Sequence, residues 1–106
     1  MVTQLQKPLA ILRRKQVQAR TGLGKSTQYT QIAEGLFPKP ISLGERAVGW
    51  PNYEVDAVNA ARIAGKSDDE IRALVIRLEA ERKNLAAANI IPQAVDLQAL
   101  LTGGAA

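Results

Sequence analysis

Cysteine and histidine are both absent from the 106 residues of this chain. Their absence excludes thiol nucleophiles, disulfide bonds, imidazole acid–base chemistry and the usual zinc ligands, so a metal site would have to consist of carboxylates. Aromatic residues contribute only 4% of the chain, although 46% of it is hydrophobic. We therefore expect a small, mainly helical domain with an aliphatic core, no cofactor, no metal and no enzymatic activity.

Long hydrophobic runs are missing as well. No stretch reaches the ~18 apolar residues of a membrane-spanning helix, and the beginning of the chain lacks the apolar core of a signal peptide. These features predict a cytoplasmic protein that does not bind a membrane. A length of 106 residues is that of one domain, too short for a deep enzymatic cleft in addition to a scaffold.

Acidic residues are scarce in the first half of the chain. Residues 1–50 contain eight basic and two acidic side chains, a net charge of +6, whereas residues 51–106 contain six basic and eight acidic ones, a net charge of −2. This asymmetry favours a nucleic-acid partner for the first half.

The segment from Thr21 to Trp50 begins with a turn and a polar helix. Gly22 supplies the turn, and a helix is predicted over residues 25–34, ended by Gly35. Hydroxyl and amide side chains on such a helix reach base edges or phosphates, and the alternative is a solvated polar face. The predicted outward residues are Lys25, Ser26, Thr27, Gln28, Thr30 and Gln31, with Tyr29 and Ile32 turned partly inward.

A small hairpin follows this helix. Residues 37–40 form an extended segment that includes Lys39, and short strands are predicted over residues 41–43 and 48–50, with Arg46 in the turn between them. A two-stranded hairpin is not stable alone in water, so its apolar side must lie on the helices and its tip must project. A projecting Arg beside a polar helix is typical of a winged helix-turn-helix that grips a DNA duplex.

Three strings in this region resemble a known family. They are T-G-L-x-K-S-T-x-Y-x-Q-I, G-x-F-P-K-P-I-x-L-G-x-R-A-V-G-W and E-V-D-A, all within residues 12–62. The chain resembles the AlpA family of small prophage regulators, relatives of phage excisionases and of the MerR-type DNA-binding domain. The resemblance implies a DNA-binding winged helix-turn-helix that acts as a transcriptional regulator, a recombination directionality factor, or both. It places Lys25, Ser26, Thr27, Tyr29 and Gln31 on the recognition helix and Arg46 on the wing.

Three positions depart from the pattern of the family. Gly24 stands where a Ser more often caps the helix, which loosens that end by up to ~1 kcal/mol. Gln28 replaces an aliphatic residue and is either a new DNA contact or a buried amide. Val58 stands where a Trp is common, so we expect a thinner core beneath the wing.

A basic cluster precedes the first helix, which is predicted over residues 15–21. The apolar run over residues 9–12 is either a strand or a staple that leads into this helix. Arg13, Arg14 and Lys15 follow it, close to a phosphate backbone if the first helix crosses the duplex. A solvated basic cluster is the alternative.

The string G-L-G-K-S-T over residues 22–27 looks like the end of a phosphate-binding Walker loop. The full pattern requires a Gly where this chain has Ala19, and it requires a preceding strand where a helix is predicted. We therefore do not expect nucleotide binding.

The second half is predicted to be helical. A third helix spans residues 52–64, and Trp50 is expected to pack against it. Ser67 and Glu70 form a capping box for a helix over residues 67–88, whose apolar stripe serves core packing or oligomerisation. The predicted division of the chain is an N-terminal arm over 1–9, a winged helix-turn-helix over 10–66, this C-terminal helix, and a flexible or docking tail over 89–106.

Two functional hypotheses follow from these features. The first is a DNA-binding regulator or excisionase of a mobile genetic element that binds double-stranded DNA as a dimer or cooperative multimer, with an integrase or RNA polymerase as a further partner. Its candidate DNA contacts are Arg13, Arg14, Lys15, Lys25, Ser26, Thr27, Gln28, Tyr29, Gln31, Lys39 and Arg46. The second is an adaptor or anti-repressor that uses residues 67–88 and the tail.

Overall fold

The computed structural model describes residues 9–85, so most of the predicted arm and all of the predicted tail lie outside the described residues. Within that range no helix is long and apolar enough to cross a membrane. The same residues contain no group of three or more metal-ligating side chains. The elements, in order, are β1 (Ile11–Leu12), α1 (Arg14–Thr21), α2 (Lys25–Ala33), β2 (Ile41–Gly44), β3 (Ala47–Pro51), α3 (Asn52–Ile63), α4 (Asp68–Glu81) and a 3-10 turn (Arg82–Asn84).

The sheet has three antiparallel strands in the order β1-β3-β2. The predicted two-stranded hairpin therefore has a third strand. The apolar run before α1 forms β1, in which Leu12 pairs with Trp50 of β3. Asn52 extends this pairing: its side chain accepts a hydrogen bond from the Ala10 N–H (3.2 Å), and its own N–H donates to the Ala10 carbonyl (2.8 Å). A third strand gives the small hairpin the support that two strands lack.

The core lies where the helices meet the inner face of the sheet. Trp50 is only 1% exposed and packs on Phe37 with a ring-centroid distance of 6.3 Å, which confirms its predicted core position. Its indole N–H donates to the Pro38 carbonyl at 2.9 Å, as a buried Trp requires. The other buried apolar residues are Leu12, Val17, Leu36, Val55, Val58, Ile71, Val75 and Leu78.

The predicted ends of the first three helices are correct to within one residue. Helices α1 and α3 are followed by the left-handed glycines Gly22 (φ 75°) and Gly65 (φ 80°). Residues with a side chain rarely adopt this conformation, so glycine marks the helix end.

The capping box at the start of α4 is present as predicted. The Ser67 hydroxyl accepts from the Glu70 N–H (3.2 Å), and the Glu70 carboxylate accepts from the Ser67 N–H (2.9 Å). The hydrogen bond from the Ser67 backbone N–H, together with the nearby Ser67 hydroxyl, lowers the pKa of the Glu70 carboxyl. The helix ends at Glu81, earlier than predicted, and gives way to a 3-10 turn that contains Asn84, a residue of lower helix propensity than those before it.

Gly49 in β3 has no room for a side chain. A Cβ at this position would overlap Ile11 Cγ2 and would lie 3.0 Å from the Leu12 carbonyl oxygen. We expect Gly49→Ala to lower the free energy of unfolding by about 1–3 kcal/mol, measured by urea unfolding with Trp50 fluorescence. The control is Gly24→Ser, since position 24 is open and a Ser cap raises stability by a few tenths of a kcal/mol. Equal stability of Gly49→Ala and the wild type would contradict the predicted overlap.

Candidate nucleic-acid interface

Helix α2 presents an exposed polar face at its N-terminal end. Gly24 caps the helix without a side-chain hydrogen bond, and the first turn has no acidic residue. The free N–H groups at such an end attract anions such as phosphate. The exposed residues of this part of the helix are Lys25, Ser26, Thr27, Tyr29 and Thr30. The predicted outward positions of Lys25, Ser26, Thr27 and Thr30 are confirmed, whereas Tyr29, predicted to turn partly inward, is exposed.

The predicted exposure of Gln28 is wrong. Its side chain is 2% exposed, and within the described residues neither its amide nitrogen nor its amide oxygen has a hydrogen-bond partner. Gln28 precedes the half-buried Ile32 by four residues, so both lie on the inward stripe of α2. Of the two alternatives considered for this residue, the buried amide is the one observed.

The burial of Gln28 without partners gives a test of its role. We expect Gln28→Met, which keeps the shape of the side chain, to raise the free energy of unfolding by about 1–3 kcal/mol, because a buried amide without hydrogen bonds costs that much. Thermal unfolding measures this change, and DNA affinity is expected to stay the same. A loss of affinity in a stabilised variant would instead indicate a direct DNA contact by Gln28.

Gln31 is held by the protein itself. Its side-chain oxygen accepts a hydrogen bond from Arg62 of α3, which also contacts the Leu36 carbonyl (3.5 Å). Arg72 of α4 donates to the Glu34 carbonyl at 2.8 Å. Arg72 therefore offsets the negative C-terminal end of α2. Gln31, predicted to point outward, is half-buried.

The three residues of the basic cluster at the start of α1 have different environments. Arg13 is exposed and donates to the Val48 carbonyl at 3.0 Å, which ties the start of α1 to β3. The Arg14 guanidinium lies 5.0 Å from the centroid of the Tyr29 ring, a cation–π contact between α1 and α2. Lys15 is exposed.

The turn between β2 and β3 carries Arg46 in a left-handed conformation with a φ of 62°. Such a backbone costs roughly 1 kcal/mol or more for a residue with a side chain. Arg46 is exposed, as predicted, and the ladder is irregular between Ser42 and Gly44, next to the turn. Strain of this kind is characteristic of functional positions.

Comparison with known proteins agrees with this arrangement of polar helix and wing. The model of the family described as "Prophage CP4-57 regulatory protein (AlpA)" matches residues 10–62, half of the chain. The chain belongs to the AlpA family. It is also 46% identical over 55 residues to a protein of Enterobacteria phage P4 named "Uncharacterized protein ORF88", a match that covers 52% of this chain and 62% of the length of that protein. No solved structure matches the chain.

A buried ion pair joins the AlpA segment to the 3-10 turn that follows α4. Glu54 of α3 has a fully buried side chain, and Arg82 binds it in a bidentate manner, with Nε–Oε2 at 2.8 Å and Nη2–Oε1 at 2.7 Å. The hydrogen bond to Glu54 raises the pKa of the Arg82 guanidinium. Burial raises the pKa of the neighbouring Tyr53 hydroxyl.

The same arginine reaches the segment that leads into the wing. Arg82 Nη2 donates to the Lys39 carbonyl at 2.6 Å, and Glu79 accepts a hydrogen bond from the Lys39 N–H at 2.8 Å. Arg82 and Glu79 lie beyond the AlpA match, which ends at residue 62. Glu54, Glu79 and Arg82 are not marked by any sequence pattern beyond the Glu of E-V-D-A, which stands next to the hydrophobic Val55.

Proposed function

We propose that this AlpA-family protein is a sequence-specific DNA-binding protein of a mobile genetic element. It acts in the cytoplasm as a transcriptional regulator, an excisionase, or both. The observation that carries the proposal is the exposure of a hydroxyl- and lysine-bearing face on α2 together with an exposed, strained arginine at the wing tip. Both belong to the half of the chain that has a net charge of +6.

Each element has a distinct role in the proposed complex. Helix α2 enters the major groove, where Ser26, Thr27 and Thr30 reach base edges and Lys25 binds a phosphate. Arg46 binds the adjacent minor groove or a phosphate. Three further exposed cations of this half, Arg13, Lys15 and Lys39, hold the phosphate backbone.

Arg14 and Tyr29 act as a pair in this proposal. Because the guanidinium lies over the ring, Arg14 orients the exposed Tyr29 on the face of α2. Gln28 and Gln31 are not included among the direct contacts, since one is buried and the other is bound to Arg62.

Assembly on DNA is part of the proposal. A single small module buries only ~600–1,000 Å² of protein surface on DNA and binds weakly. We therefore infer that dimers or cooperative rows of this protein occupy repeated sites. An integrase or RNA polymerase is the further partner proposed for the excisionase or the regulatory role, respectively.

A second candidate function is an adaptor or anti-repressor. It is favoured by Ile76 of α4, which is 68% exposed and lines a cavity of about 230 Å³ together with Ile32, Phe37 and Val75. An adaptor of this kind would keep its activity without Lys25 and Arg46, whereas a DNA-binding protein would not.

Titration of labelled duplex DNA at several salt concentrations tests the proposed function. We expect binding near 50 mM salt and a loss of about 10³-fold in affinity by 200 mM, because roughly six phosphate contacts release their counterions. A control at constant ionic strength with a neutral polymer in place of DNA detects non-specific sticking. Affinity that does not depend on salt, or no binding near 50 mM, would rule out the proposal.

A further inference from the structure

The wing is the hairpin of β2 and β3, and the segment that links it to α2 is hydrogen-bonded on both of its faces. Pro38 and Pro40 have no N–H and a fixed φ, so Lys39 has the one N–H group of residues 38–40. Glu79 accepts from that N–H at 2.8 Å, and Arg82 donates to the Lys39 carbonyl at 2.6 Å. From the sheet, the Trp50 indole donates to the Pro38 carbonyl at 2.9 Å. We call Lys39, Glu79 and Arg82 the wing-root clamp.

Arg82 is itself fixed by the core. Its two bonds to the fully buried Glu54 hold the guanidinium in one orientation, and a bidentate pair of this kind has a defined geometry. The position of the Lys39 backbone therefore depends on α3 through Arg82 and on α4 through Glu79.

A small movement at the wing root becomes a large one at the tip. Strand β2 has four residues, and four residues of a strand extend roughly 13 Å. A tilt of about 10° over that length moves the tip by about 2 Å, and hydrogen bonds tolerate only a few tenths of an ångström. An arginine at the tip keeps its DNA contact only if the root is held.

We propose that Glu79 and Arg82 are positioning residues for DNA binding, which set the place of the wing, and hence of Arg46, relative to α2. The inference rests on the proposed function and extends it to α4, which lies outside the AlpA match over residues 10–62. It gives the C-terminal helix a role in the DNA-binding unit itself.

The test is a double-mutant cycle on the full-length chain, read as DNA affinity by fluorescence anisotropy. Arg46→Ala is combined with Glu79→Ala, and Glu81→Ala is the charge-matched control, since Glu81 is an exposed acid of the same helix. We expect Arg46→Ala to weaken binding about 10-fold in the wild type and in Glu81→Ala. In Glu79→Ala we expect the same change to cost less than about 3-fold, because a displaced arginine has little contact to lose.

In a second test, Arg46→Ala is combined with the pair Glu54→Leu/Arg82→Met, where we also expect it to cost less than about 3-fold in affinity. The pair removes the bond to the Lys39 carbonyl without leaving a buried charge, and circular dichroism confirms that each variant is folded before its affinity is measured. If this pair does not fold, Glu79→Ala decides alone.

The outcomes separate the inference from the proposed function. An equal cost of Arg46→Ala in the wild type and in the folded clamp variants would overturn the positioning role while DNA binding stands. No cost of Arg46→Ala in the wild type would also overturn it. No binding by the wild type near 50 mM salt would remove the proposed function and the inference together.

Discussion

Arg82→Met is expected to lower the free energy of unfolding by about 3–5 kcal/mol, because it leaves the carboxylate of Glu54 buried without a cation. Glu54 has a fully buried side chain, and Arg82 supplies both of its ion-pair hydrogen bonds. Small domains are stable by only about 5–15 kcal/mol. The loss of this one guanidinium is therefore expected to remove a large part of the free energy of unfolding.

Urea unfolding with Trp50 fluorescence measures this change, and three variants serve as controls. Arg77→Met removes an exposed arginine of α4, the helix that ends next to Arg82, and is expected to change the unfolding free energy by less than about 0.5 kcal/mol. Glu54→Leu/Arg82→Met replaces both charges with apolar groups and is expected to recover most of the stability. Arg82→Lys keeps the charge without the bidentate geometry, so it is expected to lie in between. Equal stability of Arg82→Met and Arg77→Met would contradict the importance of the pair.

Lys25→Ala/Arg46→Ala is expected to weaken DNA binding by about 100-fold, since each contact of this kind contributes roughly 1–3 kcal/mol. Lys25 lies at the start of α2, where no side chain caps the helix, and Arg46 lies at the tip of the wing. The salt dependence of binding is expected to fall by about one unit of slope for each phosphate contact removed. Both side chains are exposed, so the fold is expected to remain intact.

The matched control is Lys66→Ala/Arg77→Ala, which also removes two positive charges from exposed positions but leaves the proposed surface unchanged. A general electrostatic effect would weaken binding equally in both double variants. If the proposed surface binds DNA specifically, the control is expected to lose less than about 5-fold in DNA affinity. The reason is that distant charges are screened over a Debye length of about 10 Å in 0.1 M salt. If the first double variant binds DNA like the wild type, the adaptor function becomes the better explanation of the fold.

The helices were predictable because their limits are set by neighbouring residues. Gly22 and Gly65 end helices through their own backbone conformation, and Ser67 with Glu70 starts a helix through bonds that span three residues. The apolar stripe of Ile71, Val75 and Leu78 follows from helical spacing alone. The exposed cations at positions 25 and 46 were predicted from the same local patterns.

The candidate site was predictable only in part. Gln28 and Thr27 are both polar, yet only Gln28 is buried, because the way α2 packs on the rest of the fold decides which side of the helix faces inward. Gln31 does not belong to the exposed face because its side chain binds Arg62, which lies 31 residues further along the chain. The pairing of Leu12 with Trp50 likewise depends on residues far apart in sequence.

The sequence by itself determined where the helices begin and where the first three of them end, which segment resembles the AlpA family, and which half of the chain carries the positive charge. Each of these depends on residue type and short spacing. Only the tertiary structure decided the third strand, the burial of Gln28, and the contacts of Glu54, Glu79 and Arg82 with one another or with Lys39. These features depend on which distant elements pack together, and a single chain carries no local pattern that specifies such partners.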